Sequence, residues 1–349
     1  MRRSTIVQSV FVGVLFWSAA LRAQDLTSDL RIKLTSPDGS PVRGALVALV
    51  NAMDSVVAEG LATEDGIRVL HAPRGAYRVR VRRIGYLPFL STELTLPRPG
   101  ELVLSVESPP VMLQSIVVNS SSQCGRNDPN AQTLSTVWDE IDKALRSSEL
   151  TLQDLRGIGR ARVYHRELGA DGSVVKGDSS VFLITNRRPF GAINPDSLAR
   201  QGYVLGDLEQ GWRFFGPDEA VLRSDQFAAT HCFRLVRESG RPGQIGVAFK
   251  PSPQRKLADI SGVIWLDQAS AELREIRFSY VNAGPLSGND AWGFTRFRRV
   301  PSGAWIVDEW QLSVPRLGIM QTLTLPYPRR VVIVTGRFDN GGGILRSSQ

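Results

Sequence analysis

The residues in this 349-residue chain whose types suit a reaction include three histidines, two cysteines and the adjacent acidic pairs at 218–219 and 308–309. His71 precedes Ala-Pro-Arg, His165 precedes Arg-Glu-Leu and His231 precedes Cys-Phe-Arg. None opens the H-x-x-E or H-E-x-x-H spacing that sets zinc ligands on one helix face. Asp218-Glu219 and Asp308-Glu309 are adjacent, and neighbours on a strand point to opposite faces, so neither pair makes an acid/base couple by itself. Asp308 shares strand parity with Ile306, Trp310 and Leu312, which predicts a buried carboxylate held in a salt bridge, with a functional acid as the alternative. The phosphate-loop and nucleophile-elbow patterns are missing, and Gly157-Ile158-Gly159 lacks the third glycine of a dinucleotide fingerprint. The expectation is a non-enzymatic protein with no catalytic residue, no metal ligand and no cofactor.

Two groups of side chains suit binding. Arg78, Arg80 and Arg82 alternate with Tyr77, Val79 and Val81, so they share one strand face that can grip phosphate or carboxylate groups. The plain alternative is a solvated outer face. Trp265, Trp292, Trp305 and Trp310, with Phe278, Tyr280 and Phe294, are of a kind that lines a cavity for an acyl chain or sugar, or simply fills a core. Nucleic acid is a poor partner, since basic and aromatic residues do not combine in a binding motif.

The N-terminus has the form of a secretory signal: Arg2 and Arg3, an apolar run from Ile6 to Ala20, and a small residue, Ala23, before Gln24. That run is short for a transmembrane helix, and no later stretch is longer. Cleavage near Ala23 removes three arginines and lowers the formal net charge from +8 to +5, a mild attraction to anionic surfaces. The expected location is periplasmic or secreted. In an oxidising compartment an even cysteine count favours a Cys124–Cys232 disulfide, with a thiol at Cys232 beside His231 as the alternative.

These side chains must be positioned mainly by strands. From residue 24 to 118, short apolar or alternating runs recur about every ten residues between turn signals such as Ser36-Pro37-Asp38-Gly39 and Glu64-Asp65-Gly66. Gly44 to Asn51 is continuously apolar, which suits a strand buried on both sides. Seven strands without helical periodicity predict a β-sandwich.

The series Pro37-Asp38-Gly39, Pro41-Val42-Arg43-Gly44-Ala45, Thr63-Glu64-Asp65-Gly66, Gly75-Ala76-Tyr77-Arg78-Val79 and Ile84-Gly85-Tyr86 resembles the carboxypeptidase regulatory-like domain. That family is a transthyretin-like sandwich, found on metallocarboxypeptidases and ahead of TonB-dependent receptors. Leu113 to Val118 is similar to the segment that leads into a receptor plug. The resemblance covers residues 28 to 118 and implies a non-catalytic binding or spacer module. A plug and long barrel are not expected in residues 119–349, nor is a zinc site, since none of the three histidines opens a ligand motif.

Residues 119–132 read as a polar linker. Leu134, Val137, Trp138, Ile141, Ala144 and Leu145 then form one apolar stripe of a helix, with Thr133 as its cap and charged residues opposite. From Gly157 to residue 338 eight or more antiparallel strands suggest a curved sheet or open barrel around that helix. Asp339 to Gln349, with three glycines, reads as a loose tail. The rhythm of Asp259 to Asp267, Leu273 to Ile276, Phe294 to Arg299 and Trp305 to Val307 resembles the half-barrel of periplasmic lipoprotein carriers. The whole predicts an exported binding or spacer protein of the bacterial envelope. Its expected partner is an envelope component: polysaccharide, lipid or an outer-membrane protein. The alternative is a lipid or lipoprotein carrier using a cavity in the second domain.

Overall fold

A computed structural model describes residues 27–113, 131–184, 193–207, 211–322 and 329–345. The proposed signal segment, most of the linker and Cys124 lie outside the described residues. No helix among the described residues is long and apolar enough to cross a membrane.

The protein is mostly β, as its patterning predicts, and its N-terminal module is a sandwich of eight strands where seven were expected. One sheet pairs β4 (Ile67–Pro73), β1 (Thr27–Thr35) and β8 (Leu102–Ser105), with β1 and β8 parallel. The other carries β3 (Val56–Leu61), β2 (Leu46–Val50), β5 (Gly75–Arg82) and β6 (Phe89–Leu90), with β7 (Leu94–Leu96) also on β5. Leu30, Ile32 and Leu34 of β1 meet Val47 and Leu49 of β2 and Tyr77, Val79 and Val81 of β5 in its core. Strand β2 is buried at all five positions. Its second face is covered because Leu46 joins Leu61, Leu150 and Ala304 in a smaller cluster outside the sandwich.

Helix α1 (Ala131–Asp154) starts two residues before Thr133 and runs 24 residues. Its predicted stripe packs Val137, Ile141, Ala144 and Leu145 into the main core of the second module. That module is an open antiparallel sheet of nine strands. In spatial order they are β10 (Val174–Leu183), β9 (Arg160–Gly169), β19 (Arg329–Ile344), β18 (Trp305–Thr322), β17 (Gly288–Arg299), β16 (Leu273–Val281), β15 (Asp259–Asp267), β14 (Gln244–Pro251) and β13 (His231–Val236). Short helices α2 (Pro195–Gln201), α3 (Glu219–Leu222) and α4 (Asp225–Thr230), and a hairpin of β11 (Val204–Asp207) and β12 (Gly211–Phe214), join α1 on the inner face. Register shifts at Trp265/Leu266, Ser279/Tyr280 and Arg296/Phe297 bend the sheet, since each extra residue increases local twist.

Two expectations are corrected here. Asp339 onward is not a loose tail, because β19 continues through Ile344 between β18 and β9. The glycines are the reason: a side chain at Gly341 would overlap the Tyr164 ring, and one at Gly342 the Arg162 carbonyl. Asp308 is exposed, because β18 bulges there and Phe297 pairs with Val307 while Arg296 pairs with Glu309. The bulge turns the carboxylate outward, where it accepts from Arg298 Nε at 2.5 Å.

Candidate functional site

The arginine face does not stand free as a ligand grip. Arg78 and Arg80 approach Asp54 at 3.7 and 3.6 Å, while Arg82 Nη2 donates to Asp139 and Asp142 of α1 at 2.8 Å each. The tryptophans separate by strand parity. Trp305 and Trp310 lie in the core on the inner face with Phe278 and Tyr280. Trp265 points the other way, buried beneath the Arg241 guanidinium 4.9 Å from its ring. Trp292 is half-buried on that outer face and stacks on Phe294, which Arg296 caps at 4.3 Å. The four lie on opposite faces of the sheet and therefore line no common cavity among the described residues.

His231 comes closest to a catalytic geometry, with its Nε2 3.1 Å from Asp259 Oδ1. Both side chains are sealed, at 1% and 0% exposure, and Arg255 holds the other Asp259 oxygen. The remaining ring nitrogen of His231 faces the Phe227 carbonyl at 3.2 Å, so neither nitrogen is free to serve a nucleophile. Arg255 also donates to the Leu198 and Ala199 carbonyls, so the cluster ties α2 and α4 to the sheet. His71 pairs with Asp29 and His165 with Asn340, both at the surface. Cys232 is disulfide-bonded, while Cys124 lies outside the described residues.

The boundary between the modules holds a denser polar arrangement, which Gly44 and the turn Ile84-Gly85-Tyr86 reach from the sandwich. The charged face of α1 is only partly open to solvent. It meets the sandwich. Lys143 is buried, with its Nζ 2.7 Å from Glu140 Oε1, 2.8 Å from Asp139 and 2.8 Å from the Tyr86 carbonyl. Glu140 in turn accepts from the Gly85 amide at 2.7 Å. Burial raises the Glu140 pKa, against the opposing pull of Lys143. Burial also pushes Asp142 up, but Arg223 and Arg82 outweigh it and hold that carboxyl below its usual range. Arg146 bridges Glu149 of α1 to Glu59 of β3. Gly44 and Gly303, both at positive φ, bring the two modules' backbones into direct contact.

In front of this ionic layer lies a cleft of about 230 Å³, lined from the sandwich by Arg83, Tyr86 and the chain at 110–113, and from the second module by Gln268, Ser270 and Arg299. Two turns shape it. The Tyr86 amide donates to the Arg83 carbonyl, and the Val111 amide to that of Gly85. Opposite, Asp267 accepts from the Ala269 and Ser270 amides. Gly85 sits at φ +81°, and a side chain there would stand 2.8 Å from the Ser270 carbonyl. Arg83 lies over the Tyr86 ring at 4.3 Å. Arg83 Nε and Gln268 Nε2 are buried without a hydrogen-bond partner among the described residues. Such orphaned donors are uncommon in folded proteins and call for an explanation.

The sequence reading missed Arg83, Gln268 and Arg299 as a group, because residues so far apart carry no shared local signal. The one hint was the Arg82-Arg83 doublet that ends the alternation of β5. No family model matches this chain, and no curated protein is found to be similar to it, so the site stands on its geometry.

Proposed function

We propose that the protein is an exported, non-enzymatic binding protein of the bacterial envelope, and that it recognises an envelope component at the cleft between its modules. The observation that carries this reading is the cleft itself: a recess whose walls come from both modules, lined by Arg83 and Gln268, each with a buried nitrogen that has no partner among the described residues. The N-terminal Arg-Arg followed by an apolar run supports export, and the disulfide at Cys232 fits an oxidising compartment. The likeness of residues 28–118 to a regulatory-like module supports binding over catalysis.

The test is a blocked cleft. Ala269 is exposed at its rim, so Ala269→Trp fills the recess without touching either core. Purified protein should co-sediment with envelope fragments of its own host, and Ala269→Trp should lower that association at least tenfold with an unchanged melting temperature. Equal association of both proteins, or none by the wild type, would contradict the reading.

A further inference from the structure

The cleft's chemistry narrows the ligand. We infer that the cleft takes an anionic group with at least two oxygens, a carboxylate or phosphate carried on an apolar body, held between the Arg83 and Arg299 guanidinium groups with Gln268 as an additional donor. This rests on the cleft being the recognition site.

Three observations converge. First, positive charge is in excess: Arg83 and Arg299 line the cleft and Arg43 lies close behind it. Its acidic residue, Glu272, is already shared by Arg274 at 3.0 Å and Arg299 at 3.6 Å. Arg83 has no ion pair among the described residues, although its neighbours on β5 and α1 are paired. Second, the unsatisfied atoms are donors. Arg83 Nε and Gln268 Nε2 have no acceptor among the described residues, and a guanidinium fork matches two oxygens of one group. Third, the remaining wall is apolar, from Ile84, Val111 and Leu113. A ligand of pure charge would leave that surface wet. Burial, reinforced by Arg299 and Arg43, also lowers the Arg83 pKa against the pull of Tyr86, a strain that a bound anion would relieve.

The experiment is calorimetric titration of the full chain at low salt with benzoate, phenyl phosphate and the neutral benzamide. The inference predicts that at least one anion binds at least tenfold more tightly than benzamide. Which one binds distinguishes a carboxylate source from a phosphate source. The double variant Arg83→Gln/Arg299→Gln should lose at least tenfold of the anion's affinity and leave benzamide unchanged. If that variant fails to fold, Arg83→Lys keeps the charge but removes the Nε donor, and should still weaken the anion severalfold. Binding of anion and benzamide alike, both abolished by Ala269→Trp, would overturn the anionic inference and leave the cleft reading standing. Binding of no probe, or anion binding unaffected by the arginine variants, would overturn the inference outright, and in the former case the cleft reading with it.

Discussion

Lys143 shows at the scale of one residue what joins the two modules. Its ammonium is desolvated, and it survives there because Glu140, Asp139 and the Tyr86 carbonyl each accept from it. A buried pair of this kind adds little over an apolar pair of equal volume, but removing one partner leaves the other charge stranded. Lys143→Met should therefore cost about 3–5 kcal/mol in chemical denaturation. Lys143→Met combined with Glu140→Gln should recover much of that loss. A cost for the single variant below about 1 kcal/mol would show that water reaches the pair.

At the scale of elements, the turn after β5 connects local geometry to the cleft. Gly85 occupies the left-handed region while its amide donates to Glu140 and its α-carbon faces Ser270. Gly85→Ala should cost about 1–3 kcal/mol from the strained backbone, read as a lower melting temperature. An unchanged melting temperature would show that the turn relaxes. Elements of this kind were legible in the sequence where their signal is local. The alternation of Tyr77, Val79 and Val81 identified β5, the apolar run at 45–50 identified a strand covered on both faces, and the stripe from Leu134 to Leu145 identified α1. What was not legible depends on distant neighbours. The charges of α1 look solvated until the sandwich is placed against them. The bulge at Asp308 reverses a parity that the sequence alone presents as unbroken. The glycines at 341–343 read as a tail until Tyr164 and the Arg162 carbonyl are found against them.

At the scale of the molecule, α1 lies between the sandwich and the curved sheet, with its apolar stripe in one core and its charges on the other module. Leu150 of the same helix joins Leu46 and Leu61 of the sandwich and Ala304 of the sheet in one cluster. A boundary built this way should not behave as a flexible linker, and that rigidity is what makes the cleft in front of it a site of fixed shape. The most direct test is scanning calorimetry of the full chain. The account predicts a single transition whose calorimetric and van't Hoff enthalpies agree, as expected when the modules unfold together. Two separated transitions would show that the modules fold independently, and would contradict a fixed recognition site between them.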